Sequence, residues 1–422
     1  MPAARARSLL DHAQALLREV LRFDAAADAV VAAYVRRQPG LGPRERQLLA
    51  DTVFAALRRL PLWRHLARDA PGAVERRIAA LAWAGDTDAL ARSLDAGERA
   101  WLDAARACDV ETLPDTLRHH LPDWLAAALR AQLADDEFWA LARALLAPAP
   151  LDLRVNVLKA RREAARAALA DAGITTEPTP YSPWGLRVQG KPSLRGVAAL
   201  QRGEVEVQDE GSQLLALLSG ARRGETVVDF CAGAGGKTLA LGAMMRGNGR
   251  LYAFDVSASR LAALQPRLQR AGIDHVYPMT IAHERDERVQ RLEGKVGRVL
   301  VDAPCSGLGT LRRNPDLKWR HTPHTVEALV ATQRAVLDAA ARLLAPGGRL
   351  VYATCSLLEA ENEAVADAFG ADHPRWRPLD AAAVLQHAGV ADAASLAPAG
   401  RLRLWPHRHG TDGFFAAVWQ RP

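Results

Sequence analysis

Hydrophobic positions recur every three to four residues through the first third of the chain, as in Leu48, Leu49, Val53, Leu57 and Leu60 behind Pro43. That spacing lines one face of a helix, so residues 1–145 are expected to be all helical. Breaks at Gly40-Leu41-Gly42-Pro43, Pro71-Gly72 and Pro122 predict several short helices rather than a few long ones, and no fixed-period repeat is visible. APAPLD at 147–152 reads as a linker. Beyond it LRVNVL is β-branched and alternating, RREAARAALADAG is a helix closed by Gly173, and ITTEP and WGLRVQG are further strands, giving a small α/β module over 146–205. From 206 to 422 apolar strands (TVVDF, LYAFDV, GRVLVDAP, GRLVYATCS) alternate with helices. This rhythm predicts a Rossmann-like α/β fold: a mostly parallel sheet, helices on both faces and ligands at the carboxyl ends of the strands.

The length of 422 residues fits two or three domains, and 49% hydrophobic with 24% charged residues is ordinary globular usage. No apolar run approaches the roughly 18 residues of a membrane span. Asp11 and His12 interrupt the N-terminus before an apolar stretch of signal-peptide length accumulates, so a cytoplasmic, membrane-free protein is expected. The four cysteines, Cys108, Cys231, Cys305 and Cys355, are scattered and contain no C-x-x-C pair, which predicts free thiols and no metal. Net charge is +7, and all of it lies downstream: residues 1–150 carry 20 basic and 20 acidic residues, the remainder 35 and 28. A basic domain suits a polyanion such as nucleic acid, although an Arg-rich composition yields the same balance.

TVVDFCAGAGGKT is a buried strand running into a glycine turn and a helix. Gly233, Gly235 and Gly236 allow a tight turn and close backbone approach to a ligand. A phosphate-binding P-loop needs glycine where Cys231 stands, and the dinucleotide fingerprint needs it at Thr238, so neither is complete. What remains suits an adenosine ligand without phosphate, of which S-adenosylmethionine is the common one. Asp255, 20 residues past Gly235 at the next strand end, is placed to accept from ribose hydroxyls; the competing reading is a strand-end cap on the following helix.

Two later strands each deliver a cysteine to the same sheet edge: VLVDAPCSG brings Asp302, Pro304 and Cys305, and RLVYATCS brings Thr354, Cys355 and Ser356. A lone cysteine is usually a small buried hydrophobe. Two beside a methyl-donor site suit methylation of a pyrimidine at C5. That carbon becomes nucleophilic only after a thiolate adds at C6; a base must then remove the C5 proton so that the sulfur can leave. Asp302 is the acidic group nearest the expected position of the base N3 edge.

With these motifs the chain resembles the Sun (Fmu)/NOL/NOP family of RNA cytosine-5 methyltransferases, nearest its bacterial ribosomal RNA enzymes. The resemblance covers LRVNVLK (153–159), VQDEGSQL (207–214), the glycine turn, DAPCSGLGTLRRNPDLKW (302–319), ATCS (353–356) and PHRHGTDGFFAAVW (406–419). GPRERQLLADTVFAALRR resembles more weakly a NusB-like accessory domain. The resemblance implies a class I fold using S-adenosylmethionine, held by Cys231, Ala232, Gly233, Ala234, Gly235, Gly236, Lys237, Asp255 and Asp302. It makes Cys355 the nucleophile, with Cys305 assisting product release. Two departures stand out. His283 occupies the expected place of a third-strand Asp, with Asp286 three residues on, and CAGAGGK replaces the usual CAAPGGK.

The segment 311–321, LRRNPDLKWRH, sets basic residues around Trp319 and is expected either to hold phosphates or to bury Trp319 in a core. Arg154, Asn156, Arg401, Arg403 and Arg408 are candidates to extend a basic track. The helical front, with no net charge, serves RNA positioning or protein docking and support. The reading is a monomeric RNA cytosine-5 methyltransferase acting on small-subunit ribosomal RNA. The alternatives are the same chemistry on transfer RNA or another ribosomal site, and a non-catalytic RNA-binding assembly factor.

Overall fold

A computed structural model describes residues 8–68 and 72–422. Pro71 of the expected Pro71-Gly72 break and the first seven residues of the N-terminal start lie outside the described residues. The chain divides into two compact units, one holding the residues up to Pro148 together with Thr310–Pro323, the other Ala149–Gly309 and His324–Pro422.

The first unit is helical, as the periodicity predicts. Its helices include Leu9–Val20, Ala27–Arg36, Pro43–Arg58, Leu60–Leu66, Val74–Leu81, Ala96–Arg106, Asp123–Arg130 and Asp135–Ala144. Ser8 caps the first through a reciprocal box: Asp11 N–H donates to Ser8 Oγ (3.2 Å) and Ser8 N–H to Asp11 Oδ2 (3.0 Å). Leu10, Leu17, Leu49, Val53, Leu57 and Leu60 form a solvent-free core. The inserted segment joins this core. Trp319 packs against it and donates Nε1–H to the Leu57 carbonyl (2.9 Å), while Lys318 is 3% exposed and donates to the Arg58 and His120 carbonyls. The phosphate-holding reading of 311–321 is corrected for Lys318 and Arg312, which are buried in the helical unit, while half-buried Trp319 packs against its core. Burial, reinforced by Arg58, pushes the Lys318 ammonium down to about 7.

The second unit holds two sheets. β1 (Asp152–Val155), β2 (Thr176–Pro178), β3 (Gly185–Val188) and β4 (Val205–Val207) form an antiparallel sheet in the order β2-β3-β1-β4, packed on the helix Arg162–Asp171 through Leu153, Val155, Leu169 and Leu186. Buried Asp152 receives a two-pronged bond from Arg187 (2.8 and 2.9 Å) that fixes the β1/β3 register. The large sheet comprises β5 (Thr226–Phe230), β6 (Arg250–Asp255), β7 (Val276–Thr280), β8 (Val296–Asp302), β9 (Leu344–Thr354), β10 (Arg377–Leu379), β11 (Leu402–Leu404) and β12 (Phe414–Gln420). Its order is β10-β12-β9-β8-β5-β6-β7, with β11 beside β12. β7, β6, β5, β8 and β9 are parallel, whereas β12 runs antiparallel to β9 and carries β10 and β11. This is the Rossmann-like arrangement expected, extended by an antiparallel edge that the strand rhythm did not predict. The chain proceeds from β5 outward to β7 and then returns to place β8 on the other side of β5. The resulting switch point opens a crevice at the carboxyl ends of β5 and β8.

Candidate active site

The turn after β5 is built by backbone conformations that only a few residues adopt readily. Gly235 has φ +85°, and a methyl group there would collide with Leu264 Cδ1 on the helix Ala258–Ala271. Glycine is therefore required twice over, by the left-handed backbone and by the neighbouring helix. Cys231 also lies at positive φ, as does Gly233. Asp255 at the end of β6 holds the turn in place: Oδ2 accepts from Gly233 N–H (2.8 Å) and Oδ1 from Ser257 N–H (2.7 Å). Both readings of Asp255 are thus physically compatible, since a carboxylate oxygen has lone pairs to spare after one backbone bond. Its 5% exposure leaves it at the crevice rim rather than in bulk water.

Lys237, the last residue of the glycine turn, reaches across to β8 and pairs with Asp302 (Nζ to Oδ2, 2.7 Å). Burial by itself would depress the ammonium, but the Asp302 carboxylate, with Cys355 acting in the same sense, raises it above its ordinary value. A protonated lysine consequently ties the glycine turn to the end of β8. Beneath it Asp229 is fully buried, receives one bond from Thr238 Oγ1 (2.6 Å) and leaves Oδ1 without a partner. Burial pushes the Asp229 carboxyl up to about 7. The Cys231 thiol is likewise pushed up by burial and by the surrounding carboxylates of Asp302 and Asp255, and so behaves as a thiol rather than a reactive thiolate.

The two cysteines meet. Cys305 Sγ lies 3.4 Å from Cys355 Sγ, each half-buried just past its strand. The contact with Cys355 and then burial hold Cys305 well above the ordinary thiol value, so it stays a thiol. Their separation is set by a buried network. Glu361, 0% exposed, takes Ser306 N–H (2.8 Å) and Gln333 Nε2 (3.0 Å) on Oε1, and the hydroxyls of Ser306 and Ser356 (2.5 Å each) on Oε2. Ser306 and Ser356 directly follow the two cysteines, so one carboxylate ties both loops. Tyr352 donates to the Glu361 carbonyl (2.6 Å), and Asn362 receives Thr354 Oγ1 and donates to the Ser356 carbonyl. Gly309 completes the frame: its N–H bonds the Cys355 carbonyl (2.8 Å), and a side chain there would collide with the Gly413 carbonyl oxygen.

The structure thus brings Asp302, Cys305, Cys355 and the turn Cys231–Lys237 with Asp255 to one sheet edge. Glu361, Gln333 and Asn362 were not singled out from sequence. LLEAENE reads as an ordinary solvated helix start, and only the Ser that follows each cysteine hinted at a shared partner. Neither His283 nor Asp286 replaces the expected third-strand carboxylate with an uncommitted side chain. Asp286 caps the helix Glu287–Gln290 and pairs with Arg288 (2.7 Å), while exposed His283 accepts from Arg285 N–H (3.1 Å). The proposed basic track is corrected at its buried or engaged members, whereas Arg408 is exposed. Arg154 is 2% exposed and bonds Gln208, Asn156 bonds the Gly203 and Ala271 carbonyls, Arg401 pairs with Asp367, and Arg403 packs over Trp405 beside Glu363. Among the described residues no His, Cys, Asp or Glu cluster could hold a metal ion, and no helix is long and apolar enough to cross a membrane.

Comparison with known proteins agrees with this geometry. Relatives include the probable ribosomal RNA small subunit methyltransferase B of Synechocystis sp., 36% identical over 71% of this chain and 66% of its own length. The ribosomal RNA small subunit methyltransferase B of Pseudomonas putida is 37% identical over 70% and 65%. The chain therefore spans just under two thirds of the length of these relatives. Among solved structures, a methyltransferase homolog protein from Pyrococcus horikoshii shares 27% identity, covers 75% of this chain and all of its own, and superposes with a TM-score of 0.62. The crystal structure of PH0851 shares the fold over 98% of both chains with a TM-score of 0.78 at 24% identity. Residues 121–195 match the RsmF/B-like ferredoxin-like domain, starting upstream of the expected module boundary at 146. Residues 216–420 match the family described as 16S rRNA methyltransferase RsmB/F, and the chain belongs to that RsmB/F methyltransferase family.

Proposed function

We propose that this protein transfers a methyl group from S-adenosylmethionine to C5 of a cytidine in RNA, in small-subunit ribosomal RNA by preference. The observation that carries the reading is the pairing of two cysteines 3.4 Å apart at the edge of a Rossmann-like sheet whose first turn is a glycine cradle. The residues fit the donor. Gly233 and Gly235, both at positive φ, keep the turn free of side chains, Asp255 is positioned to receive ribose hydroxyls, and buried Asp229 Oδ1 still lacks a partner. Bound there, S-adenosylmethionine supplies an electrophilic methyl group.

Cys355 adds to C6 of the cytosine as thiolate, which makes C5 nucleophilic. The Lys237 ammonium, held by Asp302, lies beside this charge and favours it. Asp302 and Lys237 also stand ready to exchange a proton with the base N3 edge as charge develops there. After C5 is methylated its proton is removed, the C5–C6 double bond re-forms and the Cys355 sulfur leaves. Cys305, protonated and in contact with Cys355, assists that departure. Bisulfite sequencing of total RNA from cells with and without the gene tests the reading. One small-subunit cytidine is expected to lose its protection; unchanged protection at every cytidine would overturn the function.

A further inference from the structure

A second charged cavity lies at the opposite end of the same sheet. It has a volume of about 560 Å³, within the few-hundred to 1,000 Å³ range of small-molecule sites, and Arg222, Arg298, Arg349 and Arg377 line it. Arg298 sits four residues before Asp302 on β8 and Arg349 five before Thr354 on β9, so at about 3.3 Å per residue the cavity is roughly 15 Å from the catalytic edge. Nothing in the chemistry proposed above uses it.

The charge balance there is unusual. Among the described residues only Arg298 of the four has a carboxylate partner, Glu225 (3.1 Å). Arg377 bonds the neutral amide of Gln420, and Arg349 donates one Nη1–H to the Leu218 carbonyl (3.1 Å) while its buried Nε has no hydrogen-bond partner. The one carboxylate lining the cavity, Asp380, is engaged in capping Ala382 (2.9 Å). Burial first, and then the neighbouring Arg298 and Arg222, push the Arg349 guanidinium down to about 10. Apart from His387 and Gln420 the remaining wall is apolar and includes Trp184, Leu217 and Met244. Guanidinium forks match phosphate oxygens, and Trp184 offers a face for a planar group.

We propose that this cavity binds a nucleotide, its phosphate among the arginines and its base against the Trp184 wall. A free nucleoside phosphate and a nucleotide of an RNA strand share this chemistry. Calorimetric titration of the intact chain, with the crevice saturated by S-adenosylhomocysteine, tests it using uridine monophosphate and a short RNA lacking terminal phosphates. Uridine monophosphate should bind saturably, and the Arg222→Ala/Arg377→Ala double variant should weaken it at least tenfold; these two side chains are exposed, so the fold is retained. Arg349→Lys, which keeps the charge but removes the fork, should weaken it severalfold. If only the RNA responds to the substitutions, the nucleotide belongs to a strand and the site stands. Binding of both probes that is absent, or identical in wild type and double variant, overturns the proposal.

Discussion

Replacing Glu361 with glutamine preserves shape and removes the charge that holds both cysteine loops. The native carboxylate accepts four bonds, two from serine hydroxyls on Oε2 and two from N–H groups on Oε1. A glutamine oxygen can keep the N–H pair, but its amide nitrogen then faces Ser306 and Ser356, whose hydroxyls must rotate to accept it. Ser356 Oγ already accepts from Leu358 N–H (3.0 Å). Exchanging two charge-assisted bonds, about 1.5–3 kcal/mol each, for neutral ones worth about 1 gives a loss of roughly 2 kcal/mol. At about 2–4 °C per kcal/mol for a chain of this size, Tm should fall by roughly 5 °C. Glu361→Ala strands two N–H donors and opens a cavity, for a loss on the order of 5 kcal/mol.

A merely structural role would stop there. If the network sets the cysteine geometry, Glu361→Gln assayed well below its Tm should also lose tenfold or more in kcat, because misplacing reacting groups by about 1 Å costs on the order of a hundredfold. Affinity for S-adenosylhomocysteine should be unchanged, since Glu361 touches neither the glycine turn nor Asp255. Methyl transfer to RNA, calorimetric donor binding and thermal unfolding on one preparation separate these effects. Turnover within twofold of wild type alongside the lowered Tm would refute the positioning argument.

Two further predictions concern the donor side. Asp255→Ala removes the acceptor for Gly233 and Ser257 N–H, each loss worth about 1–3 kcal/mol when the donor stays buried. It should weaken S-adenosylhomocysteine at least tenfold by calorimetry, whereas equal affinity would remove Asp255 from the donor site. Asp229 has its carboxyl raised from 3.8 to about 7, so the folded chain keeps a proton that the unfolded chain has lost between those values. Its contribution to stability is full below pH 3.8 and disappears as pH rises through 7. Asp229→Asn, neutral throughout, should therefore gain stability relative to wild type as pH is raised from 5 to 7.5 in denaturant titrations. A pH-independent offset would contradict the assignment.

The parts of the site legible in sequence are those whose signal is local. A glycine run after an apolar strand, an Asp at the next strand end and a cysteine closing each of two later strands state their geometry within ten residues. Lys237 and Asp302 each stand in a legible motif, but their pairing joins residues 65 apart, which only the β5/β8 adjacency brings together. Glu361 was hidden for the same reason: its donors come from Ser306, Gln333 and Ser356 on three separate segments, and an acidic residue in LLEAENE looks solvated until the fold buries it. Lys318 failed in the other direction, while Trp319 took the core-packing alternative. A basic, aromatic stretch has the composition of a nucleic-acid contact, yet its lysine found the Arg58 and His120 carbonyls and its indole the Leu57 carbonyl. The antiparallel edge was missed because β10 and β11 span three residues each and β12 is buried along nearly all its length, without the alternation that marks a half-exposed strand.

The division of labour between the two cysteines is the centre of the account, and trapping the enzyme on its RNA addresses it directly. Incubated with small-subunit RNA and S-adenosylmethionine, Cys305→Ala should accumulate a protein–RNA adduct that survives denaturing electrophoresis, with mass spectrometry locating the nucleotide on Cys355. Cys355→Ala should give neither adduct nor methylated product. An adduct in the Cys355 variant, or normal turnover by Cys305→Ala, would contradict the assignment.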